Sequence, residues 1–115
     1  MNFNKLKQAY IIAEIGINHQ GKLKLAKKLV DKAKLAGVDA VKFQCYKTEN
    51  VVSKKTPKVD YQKKNILDKQ SHFQMLKEGE VSEKDFIKLK KHYKKKKIDF
   101  ISSTGDVNSF KFLKK

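Results

Sequence analysis

Three polar side chains interrupt two otherwise apolar runs, and their chemistries complement one another. Glu14 lies within Tyr10-Ile11-Ile12-Ala13-Glu14-Ile15-Gly16-Ile17. Lys42 and Gln44 lie within Ala40-Val41-Lys42-Phe43-Gln44-Cys45-Tyr46. Both runs are short and nearly continuous in apolar character, as strands buried on both faces are. An unpaired charge in such a strand costs several kcal/mol, so these residues need partners or a wet cavity. Lys42 and Gln44 are two apart and point to one face of their strand. If the two runs are neighbouring parallel strands, a carboxylate, an ammonium and an amide share one hollow. In a barrel that hollow would lie near the C-terminal mouth, where active sites are built. A Glu14–Lys42 ion pair with no catalytic duty satisfies the same pattern, and spacing leaves both readings open.

A second polar cluster, Ser102-Ser103-Thr104-Gly105-Asp106, closes a third apolar run. Hydroxyls, a glycine and backbone N–H groups at a helix start suit an anion, phosphate above all. Ser, Thr and Asp are also ordinary helix caps. His19 directly follows the first run and reads as a hydrogen-bonded loop residue. Cys45 alternates with Gln44 and belongs on the packed face. His72 and His92 fall on expected helices and receive no role.

The elements that must position these residues follow one another in a regular order. The first strand covers residues 10–17, and Asn18-His19-Gln20-Gly21 turns the chain. Residues 22–36 form a helix with Leu25, Leu29, Ala33 and Ala36 as its apolar stripe and Gly37 ending it. Residues 40–46 form the second strand, which completes a βαβ unit with parallel strands. The polar stretch from Lys47 to about Gln70 contains the only proline, Pro57, and is long enough to be a lid or disordered. A short helix over 72–77 follows. A longer one then starts at Ser82, with Asp85 as the acid of a capping box and Phe86, Leu89 and Tyr93 on its core face. Residues 98–103 form a third strand, and 107–113 begin another helix. Once the long insertion is subtracted, the strand spacing fits repeating βα units of a (β/α)8 barrel. An open doubly wound sheet fits the same order.

Composition narrows the setting. The chain has 115 residues, 39% hydrophobic and 35% charged, which suits one small α/β domain. No apolar run approaches the ~20 residues that span a bilayer, and the N-terminus lacks a signal-peptide pattern. One cysteine excludes an internal disulfide, and a reducing cytoplasm is the expected compartment. The net charge is +16, and all the basic residues are Lys. A small basic α/β module binding nucleic acid or another polyanion is therefore a second reading. Against it, the lysines are spread along the chain, and base and phosphate readout leans on the planar Arg fork.

The residues also carry a family resemblance. The segments Ile12 to Gly21 (IAEIGINHQG) and Ala36 to Gln44 (AGVDAVKFQ) closely resemble the opening of the sialic acid (N-acetylneuraminate) synthase family. That family includes the legionaminic and pseudaminic acid synthases. Tyr61-Gln62, Ser71 to Lys77, Leu89 to Tyr93 and Asp99 to Ser103 extend the likeness. It implies the N-terminal part, about three βα units, of a (β/α)8 TIM barrel. The implied reaction condenses phosphoenolpyruvate with a 2-acetamido sugar such as N-acetylmannosamine, giving a nine-carbon 2-keto sugar acid and phosphate. By position, Glu14 would handle the sugar or its protons, Lys42 would bind phosphoenolpyruvate, Gln44 would face the sugar, and Ser103 would stand beside phosphoenolpyruvate. A divalent metal, Mn2+ or Mg2+, would polarise the sugar carbonyl, with ligands outside this chain. Residues 1–9 would be an N-terminal tail and 10–115 a partial barrel, lacking the rest of the barrel and a C-terminal antifreeze-like domain. Such a piece is expected to be inactive alone, and the full enzyme to be a homodimer with neither nucleic acid nor membrane as partner. One departure stands out. The family usually has Thr-Pro-Phe-Asp where this chain has Ser103-Thr104-Gly105-Asp106, which would loosen the loop beside phosphoenolpyruvate.

Overall fold

A computed structural model describes residues 8–54 and 71–114. The elements run β1 (Ile12–Gly16), α1 (Leu23–Leu35), β2 (Ala40–Cys45), α2 (Thr48–Val51), α3 (His72–Gly79), α4 (Glu83–Lys96), β3 (Asp99–Thr104) and α5 (Val107–Leu113). The strands form one parallel sheet in the order β1-β2-β3. This is the α/β arrangement expected for the first units of a TIM barrel. The long polar stretch keeps four residues as α2; its 55–70 portion, with Pro57 and Tyr61-Gln62, lies outside the described residues.

The strands are amphipathic rather than buried on both faces. In β2, Val41, Phe43 and Cys45 point to the helix layer and are 0–5% exposed. Phe43 stacks on Phe100 of β3 at 5.3 Å, and Phe100 stacks in turn on Tyr93 at 4.5 Å. Phe86 meets Phe100 edge-on, so α4 is sealed to β3 by aromatic contacts. Leu89 and Val30, both fully buried, complete the core. Burying each such side chain stabilises the fold by roughly 1.5–3 kcal/mol.

The buried face of α1 differs from the expected stripe. Ala26 and Val30 are its buried residues, while Leu29 and Ala33 are partly buried and Ala36 is exposed. The helix packs against α4 as well as β2, which turns its contact face. His92 of α4 lies 2.8 Å from Asp31 of α1, and Lys96 lies 3.0 Å from the same carboxyl. Gly37 follows α1 with φ +80, as a left-handed terminator should.

The caps fall differently from expectation too. Ser82 accepts from the Asp85 N–H at 3.1 Å, but the complete capping box is at α3, where Ser71 and Gln74 each bond the other's backbone. Asp is one methylene shorter than Glu and does not reach back as the box requires. Helix α4 ends on Lys97 in the left-handed region (φ 51), where a glycine is usual. Its carbonyl accepts a hydrogen bond from Lys34 Nζ at 2.8 Å.

Candidate functional site

The face of the sheet opposite the helices carries the chemistry. β1 pairs with β2 so that Glu14 stands beside Lys42, and β2 pairs with β3 so that Gln44 stands beside Ser103. Side chains paired across parallel strands project to the same side. Glu14, Lys42, Gln44 and Ser103 therefore share the open face.

Glu14 Oε2 accepts from Lys42 Nζ at 2.8 Å. Their side chains are 52% and 36% exposed, so the pair is wet rather than buried. The register slips between Glu14 and Gly16, leaving Ile15 as an extra residue in β1. Gly16 adopts φ +54, a conformation that favours glycine. A Cβ there would lie 3.6 Å from both Glu14 Oε1 and Gln44 Nε2. The carboxylate and the amide thus meet over a residue without a side chain, next to the ammonium. That arrangement can hold a small anion against Lys42 and a polar ligand between Glu14 and Gln44.

Ser103 continues the face at the end of β3 and is exposed, while Thr104, paired with Cys45, projects to the other side. The helix start beyond them does not offer the anion seat expected from sequence. Asp106 caps α5 itself: Oδ1 accepts from the Asn108 and Ser109 N–H groups, and Oδ2 from the Ser109 hydroxyl. Asp106 also accepts from the Lys47 N–H at 2.9 Å, tying the end of β2 to the start of α5. The Ser109 hydroxyl, with other donors, drives its pKa well below the usual carboxylate range. Nor is the 103–106 loop loose. The Gly105 N–H bonds the Cys45 carbonyl at 2.9 Å, and a Cβ on Gly105 would come within 2.8 Å of Tyr46 Cβ.

Glu80 was not singled out by the sequence, yet it organises the end of β2. It accepts from the Thr48 N–H (3.0 Å), the Thr48 hydroxyl (2.9 Å), Lys47 Nζ (3.2 Å) and Lys77 Nζ (3.2 Å). Burial alone would raise its pKa, but the Thr48 and lysine donors bring it down to about 2. Tyr46 completes this corner. Its hydroxyl donates to the Leu76 carbonyl at 2.8 Å, and burial, helped by Glu80, pushes its pKa up to about 12.

His19 and Cys45 lie on the packed side. His19 is fully buried and stacks on Phe43 at 5.6 Å. Its Nδ1 accepts from the Gly21 N–H at 3.1 Å, and burial lowers its pKa. Cys45 is buried, and burial raises its thiol pKa. Among the described residues no three His, Cys, Asp or Glu side chains are grouped to hold a metal ion. The described residues therefore do not by themselves make a complete site for the divalent cation that the resemblance implies.

Residues 29–115 match the NeuB family. The chain belongs to this family. It is 44% identical over 104 residues to the N,N'-diacetyllegionaminic acid synthase of Legionella pneumophila, covering 90% of this chain and 29% of that protein. The synthase of the same name from Campylobacter jejuni is 42% identical over 108 residues, covering 94% of this chain and 32% of its own length. Among solved structures, the N-acetylneuraminic acid (sialic acid) synthetase of Leptospira borgpetersenii superposes with a TM-score of 0.77 at 29% identity. That match covers 99% of this chain and 37% of the synthetase. This NeuB-family chain thus spans about a third of the length of the curated relatives it matches. Among the described residues no helix is long and apolar enough to cross a membrane.

Proposed function

We propose that this chain supplies the N-terminal sector of a sialic acid or nonulosonate synthase site. In that site phosphoenolpyruvate condenses with a 2-acetamido sugar to give a nine-carbon 2-keto acid and phosphate. The observation that carries this reading is the convergence of Lys42, Glu14 and Gln44 on one wet face, with Ser103 beside Gln44. Parallel barrels place their active sites at the C-terminal ends of their strands, where Gln44 and Ser103 lie.

In this reading Lys42 holds the anionic enol phosphate by a charge-assisted hydrogen bond. Ser103 adds a hydroxyl donor on the same side. Gln44 orients the sugar, and Glu14 binds a sugar hydroxyl or exchanges a proton with it. The divalent cation belongs to the longer enzyme, with ligands outside the described residues. The chain alone is catalytically incomplete, because four groups on an open sheet do not exclude water from the reacting atoms.

Titrating the 115-residue chain with phosphoenolpyruvate and following backbone and lysine side-chain NMR signals tests this. The expected shifts cluster at Glu14, Gly16, Lys42, Gln44 and Ser103, and phosphate release from phosphoenolpyruvate stays at background when the acetamido sugar is added. Shifts confined to the helix lysines of α1 and α4 would refute the assignment and favour a general polyanion surface.

A further inference from the structure

His19 is a buried titratable group that the proposed reaction leaves unused. It follows β1 directly and is fully buried. Its Nε2 is the one buried side-chain nitrogen or oxygen without a hydrogen-bond partner among the described residues. The ring stacks on Phe43 with the two planes 25° apart, and Phe43 pairs with Gly16 across β1 and β2. The imidazole therefore sits behind the β1 bulge, on the packed side of the sheet. On the open side of the same bulge, Glu14 Oε1 and Gln44 Nε2 flank the place a Gly16 Cβ would occupy. We infer that His19 is a positioning residue for this site: its Nε2–H holds the Gly16 carbonyl, and through that peptide it sets how the carboxylate and the amide meet. The functional half of the inference rests on the proposed reaction, to which it adds a residue that touches no substrate.

Three features support it. The ring is fixed in tautomer. Its Nδ1 accepts from the Gly21 N–H, so the neutral imidazole carries its proton on Nε2. The ring is also fixed in place. The Lys22 N–H bonds the His19 carbonyl at 2.9 Å, and Gly21 lies so close to the Glu78 carbonyl at the end of α3 that a Cβ would not fit. Finally, the bulge supplies an acceptor. The Ile15 carbonyl is taken by the Asn18 N–H at 3.1 Å and the Asn18 side-chain amide at 3.0 Å. The Gly16 carbonyl acts on the imidazole, opposing the effect of burial, without closing a hydrogen bond to Nε2. A small turn of the Gly16 peptide completes that bond, and glycine in the left-handed region has the freedom to make it. An apolar ring would fill the same space and leave no donor stranded, so packing alone gives no use for the imidazole edge.

NMR on the 115-residue chain tests the inference. Ring-nitrogen spectra without ligand should show the neutral Nε2–H tautomer of His19. His19→Gln can place a donor where Nε2 stands, and should keep the Gly16 and Gln44 side-chain signals near their wild-type positions. His19→Asn replaces only the Nδ1 acceptor and His19→Phe fills only the space, and both should move those signals. Phosphoenolpyruvate affinity, read at Lys42, should fall about fivefold in His19→Asn and His19→Phe, the worth of one neutral hydrogen bond, and stay within about twofold in His19→Gln. Thermal unfolding of each variant separates placement from packing, because a merely structural role would rank His19→Phe above His19→Gln in both stability and affinity. An Nδ1–H tautomer, unmoved signals in both His19→Asn and His19→Phe, or affinity that follows the thermal midpoint rather than the donor would overturn the inference. A wild-type chain that fails to bind phosphoenolpyruvate would instead sink the proposed reaction, and the ligand-free signals would still decide the role of His19.

Discussion

Removing either partner of the Glu14–Lys42 pair should change anion binding in opposite directions. Lys42→Ala deletes the ammonium. A hydrogen bond to a charged group contributes about 1.5–3 kcal/mol, so phosphoenolpyruvate affinity should fall roughly 10- to 150-fold. Glu14→Gln frees that ammonium. At 2.8 Å, with both side chains more than a third exposed, the ion pair is worth about 0–1 kcal/mol. An anion on Lys42 would also sit about 5–6 Å from the Glu14 carboxylate, a repulsion near 0.7 kcal/mol at the dielectric of water. Releasing both terms, about 0.7–1.7 kcal/mol together, should tighten phosphoenolpyruvate binding roughly 3- to 18-fold, even though the residue is proposed to act on the sugar. Calorimetric or NMR titration at ~0.1 M salt, where the screening length is near 10 Å, measures both variants. If Glu14→Gln weakens the anion, or Lys42→Ala shifts its affinity less than threefold, Lys42 is not the anion's seat and the reasoning fails.

Other expectations follow from the fold. Lys97 holds a left-handed backbone at the end of α4, so Lys97→Gly should raise stability by about 0.5–1 kcal/mol in urea unfolding. Glu80 has a folded pKa near 2 against an ordinary 4.5. Its contribution is therefore complete above pH 4.5 and lost as pH falls toward 2. Glu80→Gln should flatten that acid limb in circular dichroism and cost on the order of 1–3 kcal/mol near neutrality. The sheet ends on β1 and β3 among the described residues, and Ile11, Ile12 and Phe110 are about half exposed. Self-association that grows with concentration is expected by sedimentation, and a strict monomer across the micromolar range would contradict it.

The order of strands and helices was legible because its signals are local. Apolar runs of strand length, Gly37 after α1 and Ser82 before α4 each act within a few residues. The facing of Glu14, Lys42 and Gln44 was legible too, since alternation along β2 needs only that β1 be its neighbour. What escaped was decided at a distance. The buried face of α1 is set by α4, some 60 residues on, and a lysine-rich helix carries more than one plausible apolar stripe. Glu80 meets Lys47 and Thr48 more than 30 residues away, and no local pattern marks it. The loop at Ser103-Thr104-Gly105-Asp106 looked slack because two bulky family residues are missing. In the structure the bare Gly105 is what lets it close on Tyr46. Asp106, read beside hydroxyls as part of an anion seat, uses its own carboxylate to occupy that seat.

Strand neighbours in space are also neighbours along the polypeptide. Each new strand can therefore dock on a partner that has already left the ribosome, without waiting for a distant segment. At about 5–20 residues per second, translation of 115 residues takes on the order of 6–20 s, far longer than closure of a βαβ unit. The three-stranded sheet is in this sense a growth front. It is built in the direction of synthesis, and its last strand, β3, is the template on which any later strand of a longer relative would nucleate.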